Sequence, residues 1–271
     1  MSNYSEITLE IDQGVAWLMH ARERARNAQS RALLDELDDA LSRLADDDAV
    51  RVVVIGGHGD HFSAGHDLKE AQQSRADFTV EQRWDYESRR YFGYALKVWD
   101  FPKPTIAMVQ GACIAGGFML ANMCDLVVAA DDAFFADPVT HTLATAAVEV
   151  LVHPWVMGLR QAKEFLFTGE RLSAADALAI GMVNRVVPRA ALEDETRALA
   201  LRVAAAPPFA LSMLKRSLNR AFDAQGFRTA LSSHFDLHQL THVTEEFAEK
   251  RAAGLAGAIA KGKGLGGSGK A

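Results

Sequence analysis

Two short stretches hold residues suited to stabilising charge on a carbonyl oxygen: Phe62-Ser63-Ala64-Gly65-His66-Asp67-Leu68 and Gly111-Ala112-Cys113-Ile114-Ala115-Gly116-Gly117. Both are centred on glycine, which admits close backbone approach. Two NH groups aimed at one point from such turns make a hole for a developing oxyanion. A short helix expected from about Gly116 to Cys124 would add its positive N-terminal potential to the second turn. Beside these turns stand Met119 and Val139, whose apolar side chains cannot carry a proton.

Asp137, His141 and Glu149 flank Val139 and are the candidates for proton transfer. Glu149 sits in the apolar run Ala146-Ala147-Val148-Glu149-Val150-Leu151-Val152, where a buried carboxylate needs a partner or a function. A structural ion pair or a helix-start acid is the competing reading. For His66, either the backbone NH alone or the ring as well could take part. Asp137-Pro138 also reads as a plain turn, and His141 as a solvent-facing residue. His234, His238 and His242 recur every four residues and share a helix face, but no carboxylate or cysteine complement stands beside them in sequence. Structural or solvent-facing histidines are the expectation there, and no metal. Cys113 and Cys124 have neither zinc-type spacing nor a catalytic His and acid beside them.

The elements that must position these residues follow an α/β pattern. Residues 7–11 and 15–19 read as strands around Asp12-Gln13-Gly14, and Ser30 caps a helix with leucines at 33, 34, 37, 41 and 44. Val52 to Ile55, Thr105 to Val109 and Leu126 to Ala129 are short buried strands. Phe78 to Val98 has loosely helical spacing. Helices are expected over 160–167, 173–180, 190–204, 209–222 and 227–249.

The chain has 271 residues, a formal net charge of -6 and 49% hydrophobic residues, as expected of a soluble globular protein. That charge offers no broad attraction for nucleic acid, and no apolar run reaches membrane-spanning length. A cytoplasmic location is expected from the cysteine usage and from a start without a signal-like pattern.

An ordered set of short matches runs through the sequence: Arg26-Asn27-Ala28, Val52-Val53-Val54-Ile55, the first turn, Lys103-Pro104, the second turn, Cys124-Asp125, Phe167-Thr168-Gly169-Glu170, and Gly181-Met182-Val183-Asn184-Arg185-Val186-Val187. From Ile7 to about Arg251 the chain thereby resembles the enoyl-CoA hydratase/isomerase, or crotonase, superfamily. The resemblance implies a spiral of repeated ββα units with a C-terminal helical layer. The chain then divides into a crotonase-like α/β core over 1–190, a helical cap and assembly region over 191–250, and a tail over 251–271 whose glycines and lysines read as flexible.

The same resemblance assigns the oxyanion-hole NH groups to His66 and Gly116 and places the family's two glutamates at Met119 and Val139. Ordinary hydration is then unexpected, and Glu149 becomes the nominated acid or base. The implied substrate is an acyl-CoA thioester, with coenzyme A as part of the substrate and no separate cofactor. Arg24 and Arg26 would meet its phosphates, Ala28, Ala64, Asp67 and Leu68 would line its adenine and pantetheine path, and Lys250 would close over it. A homotrimer or homohexamer is implied. Catalysis through an oxyanion-stabilised enolate is the leading expectation; acyl-CoA decarboxylation and a non-catalytic acyl-CoA-binding or structural oligomer are the alternatives.

Overall fold

The computed structural model describes residues 4–253. Its first half contains β1 (Ile7–Asp12), β2 (Val15–His20), α1 (Arg31–Asp46), β3 (Val52–Gly57), α2 (Leu68–Ser74), α3 (Val80–Glu87), α4 (Tyr94–Trp99), β4 (Thr105–Val109), β5 (Ala112–Ile114) and α5 (Gly116–Met123). There follow β6 (Leu126–Ala130), β7 (Phe134–Ala136), α6 (Val139–Thr142), α7 (His153–Met157), α8 (Leu159–Thr168), β8 (Leu172–Ser173), α9 (Ala174–Ala179) and β9 (Arg185–Val187). Four helices end the described chain: α10 (Leu192–Ala204), α11 (Pro208–Ala224), α12 (Phe227–Thr241) and α13 (Glu245–Ala252).

A six-stranded sheet in the order β1-β2-β3-β4-β6-β9 forms the base; only the β1–β2 pair is antiparallel. Its inner strands are apolar except at their ends, His20 of β2 and Thr105 of β4, because both faces are covered. Val53 and Ile55 join the main core, whereas Val52 and Val54 pack on the opposite face with Leu192 and Ala200 of α10. A second, three-stranded sheet has the order β5-β7-β8. Thus β4-β5-α5 and β6-β7-α6 repeat one plan, with the first strand in the large sheet and the second in the small one.

The expected cap at Ser30 is present, its Oγ accepting from the Leu33 NH at 3.0 Å, and all five predicted leucines of α1 are buried. The Phe78 to Val98 segment becomes α3 and α4 joined by π-helical turns over Ser88–Gly93. The single helix expected over 227–249 is broken after Thr241: Thr244 Oγ1 accepts from the Phe247 NH at 3.2 Å and starts α13 afresh. Thr244 followed by Glu245 and Glu246 is a helix-start signal that helical spacing alone had masked. Helix α13 continues to Ala252, two residues into the segment expected as tail, and 254–271 lie outside the described residues.

Candidate active site

The two glycine turns meet. Ser63 donates its NH to Ala112 O at 3.0 Å and accepts from the Ile114 NH at 3.0 Å, pinning the turn after β3 against β5. Gly65 has φ 88°, and a Cβ there would lie 2.8 Å from Ile114 O and 3.3 Å from Gly116 N. At Gly117 a Cβ would stand 2.8 Å from Ser63 O. Side chains are therefore excluded on both sides of the seam. Among the described residues, the NH groups of His66 and Gly116 have no hydrogen-bond acceptor. Gly116 is the first residue of α5, so its NH belongs to the group that a helix leaves unpaired and positive at its start.

His66 turns its ring into the cavity beside this seam. The ring stacks on Tyr91 with centroids 3.6 Å apart and 13° between planes, and its Nε2 lies 3.0 Å from Glu149 Oε2. On its other edge Nδ1 faces Gly116, where a Cβ would be only 2.7 Å away. Tyr91 is held in turn by Arg75, whose Nη2 donates to its hydroxyl at 3.1 Å. Burial raises the Glu149 pKa, but the charge and hydrogen bond of His66, with a further contribution from His238, outweigh it and hold the carboxyl well below its usual range. Glu149 thus has an ion-pair partner and a place in the cavity wall at once.

The loop that carries Glu149 is tied from three directions. His238 Nδ1 lies 2.8 Å from Ala147 O, His234 Nε2 lies 2.8 Å from Val148 O, and the Val148 NH donates to Asp137 Oδ2 at 3.1 Å. Ala144 and Ala147 have φ of 59° and 73°, a backbone that alanine adopts at a cost and that these ties hold in place. Asp137 is fully buried against His153 at 3.2 Å, and neither lines the cavity, so the sequence-nominated Asp137 is a holder of this loop. His141 lies outside the lining as well, its Nε2 2.8 Å from Phe167 O.

The cavity has a volume of about 910 Å³. Of the residues singled out from sequence, Arg26, Ala64, His66, Leu68, Glu149 and Lys250 line it. Arg24 and Ala28 lie outside its walls; Arg24 is exposed, and the Ala28 carbonyl accepts a hydrogen bond from Arg22. Asp67 caps α2, accepting from the Lys69 and Glu70 NH groups at 3.1 Å, and pairs with Arg22 at 3.0 Å. Gly116 stands against the His66 ring and follows the lining residues Ile114 and Ala115 without lining the cavity itself. Val139 lines the cavity, and Met119 borders a smaller recess with Gln29 and Gly116.

Sequence reasoning missed a polar wall formed by Glu87, His238 and His242. Glu87 Oε2 lies 3.7 Å from His238 Nε2 and 3.8 Å from His242 Nδ1, and His238 Nε2 is also 3.7 Å from Glu149 Oε1. Burial alone would raise the Glu87 pKa, but the two histidines outweigh it and lower it. Desolvation pushes His242 down to about 4, whereas for His238 the two carboxylates overcome burial and push it up. The solvent-facing alternative for the histidine row fails: His234 and His238 are buried. The spacing of His238 and His242 was visible in sequence, while nothing near them pointed to Glu87.

A parallel sheet built from repeated ββα units, with two glycine turns joined beside a deep cavity, defines an α/β protein of the crotonase class. Residues 10–257 match the family model described as enoyl-CoA hydratase/isomerase, and the chain belongs to that family. The crystal structure of an enoyl-CoA hydratase/isomerase from Xanthobacter autotrophicus Py2 superposes with a TM-score of 0.89 at 35% identity, covering 97% of this chain and 98% of the other. That of a probable enoyl-CoA hydratase from Mycobacterium smegmatis is 46% identical with a TM-score of 0.82, covering 87% of this chain and 94% of the other. Among curated relatives, 4-chlorobenzoyl coenzyme A dehalogenase-2 of an Arthrobacter species is 33% identical over 221 residues, 80% of either chain.

Proposed function

We propose that the protein is an enzyme of acyl-CoA thioesters that stabilises a thioester enolate with the backbone NH groups of His66 and Gly116 and moves the proton through Glu149. One observation carries this reading: the Glu149 carboxylate is 3.0 Å from the ring of the residue whose own NH is nominated for the oxyanion. Hole and proton carrier are coupled through a single residue. The relatives named as enoyl-CoA hydratases and as a chlorobenzoyl-CoA dehalogenase support a coenzyme A thioester as substrate.

Met119 and Val139, which the resemblance aligns with the family's glutamates, leave no second carboxylate there to position water. One carrier that removes a proton from carbon and returns it to a conjugated carbon suffices for double-bond isomerisation. The C–H electron pair moves into the enolate, whose oxygen takes its charge against the two NH groups. Arg26 and Lys250 supply positive charge for the coenzyme A phosphates, Ala64 and Leu68 flank the pantetheine, and Arg22 braces Ala28 and Asp67 behind that path. Arg24 contributes attraction from outside the wall.

The exposed apolar residues Phe209, Leu214 and Leu218 of α11 and Leu237 and Leu240 of α12 support self-association, with a trimer or hexamer as the proposed state. Sedimentation velocity tests it, and a monomer at micromolar concentration refutes it. For the chemistry, purified protein is incubated with 2-enoyl-, 3-enoyl- and malonyl-CoA thioesters and the products are followed by mass spectrometry. Interconversion of the enoyl isomers is expected, slowed by about 100-fold or more in Glu149→Gln. Turnover insensitive to that change removes Glu149 as carrier, loss of carbon dioxide from the malonyl substrate alone favours decarboxylation, and binding without product removes catalysis.

A further inference from the structure

The Glu87, His238 and His242 wall contains more than a buried ion pair. The facing atoms of these three side chains all lie within 4.8 Å of one another. His238 donates its Nδ1 proton to Ala147 O at 2.8 Å, and its Nε2 edge faces the Glu87 and Glu149 carboxylates, each at 3.7 Å. Among the described residues, His238 Nε2 has no hydrogen-bond partner although the residue is only 3% exposed, and His242 Nδ1 is likewise buried and unpartnered. Imidazole edges and carboxylates that converge without direct hydrogen bonds hold a positive charge between them, a proton on Nε2 or a metal ion that takes its place.

We propose that Glu87, His238 and His242 form a binding site for a divalent transition-metal ion of the zinc class in the wall of the cavity. The imidazole nitrogens of His238, on α12, and of His242, the residue that follows α12, with one carboxylate oxygen from α3 make a three-ligand set, which leaves a coordination position open toward the cavity. Metal–ligand distances of about 2.0–2.2 Å bring ligand atoms to roughly 3.3 Å of each other, so the observed 3.7 and 3.8 Å must close by about half an ångström and the two imidazole nitrogens, within 4.8 Å of each other, by up to about 1.5 Å. The supporting contacts match such a site. His238 is oriented by a carbonyl through its far nitrogen, and the Gln239 amide holds Glu87 Oε2 at 2.6 Å. Arg83 is 3.5 Å from the other oxygen, Oε1, and so stays off the ligand atom. The proposal does not depend on Glu149 being the proton carrier, because none of its three ligands is Glu149.

The test uses the full chain, stripped with a chelator and then titrated with cobalt(II) or zinc. One equivalent per chain is expected, with the visible absorption of cobalt(II) in a low-coordinate, nitrogen-ligated site. Affinity should fall by at least about tenfold in His242→Gln and in Glu87→Gln. In His58→Gln, whose ring meets the Thr8 hydroxyl at 2.7 Å and does not line the cavity, it should be unchanged. Crystals of the unaltered protein soaked in zinc provide a readout that needs no variant: an anomalous peak is expected between His238 Nε2, His242 Nδ1 and Glu87. Absence of saturable binding, binding undiminished in both ligand variants, or a peak elsewhere overturns the proposal.

Discussion

The seam between the two glycine turns and the histidine–carboxylate wall that adjoins it through Glu149 are built on opposite principles. At the seam, position is set by backbone: Gly65 and Gly117 leave no room for a Cβ, and Ser63 bonds both ways to β5. At the wall, side chains from α3, the 144–152 loop and α12 are brought together over long sequence distances by hydrogen bonds to backbone carbonyls and by charge. A backbone device is specified by which residues are excluded, and a side-chain device by which residues are present. The first should therefore fail on adding one methyl group and the second on removing one polar partner.

The largest effect is expected at the seam. Gly65→Ala places a Cβ at a φ of 88° and 2.8 Å from Ile114 O, so the turns must part. Stability should fall by about 1–3 kcal/mol, and turnover by about 100-fold or more as the NH pair is misaligned; denaturant midpoints and initial rates measure both. Unchanged turnover would mean that the seam is packing only.

Next in size is a pH effect centred on His20, whose Nδ1 is 3.2 Å from Phe62 O at the entry to the first turn. Burial lowers its pKa from 6.5 to about 4, so the folded state favours the neutral ring. Its contribution to stability is intact above the unfolded value and is lost as pH falls from there toward the folded one, by up to about 3 kcal/mol. Urea unfolding near neutral pH and near pH ~4 should show a smaller acid loss in His20→Gln than in the unaltered chain. Parallel losses in the two proteins would count against it.

Asp137→Asn probes the support of the wall. It removes the charge that faces His153 and weakens the bond to the Val148 NH, at a cost of about 2 kcal/mol. Because Val148 precedes Glu149, turnover should fall with Km nearly constant; a stability loss with kinetics untouched would detach Asp137 from the site. The smallest effect is expected for Ala147→Gly, which relieves the strain of a φ of 73° while loosening the loop. Stability should stay within about 1 kcal/mol of the unaltered protein, with amide exchange at Val148 and Glu149 the more sensitive readout.

This contrast also explains what was legible in the sequence. Glycine identity encodes backbone path, so the two turns, the Ser30 cap and the doubly covered strands could be read residue by residue. Glu149 was legible because a lone acid in an apolar run is conspicuous. Asp137 was misjudged as a proton-transfer candidate because its partner, His153, reaches it only through the fold. Glu87 and Tyr91 gave no signal: they sit in an aromatic, charged helix whose π-helical turns at Ser88–Gly93 reset which residues face the cavity. Helical periodicity counted at a constant pitch cannot follow that reset.

The seam at Ser63, Gly65 and Gly117 has a consequence for how this chain could be altered by selection or by design. Because the proposed oxyanion contacts are amide protons of the main chain, they survive any exchange of side chain at position 66 that keeps the turn. The side-chain walls of the cavity can then be rewritten, one residue at a time, without rebuilding the hole. A carboxylate introduced at Val139, on the cavity wall, is the shortest route to asking whether a new reaction can be grafted onto an unchanged backbone.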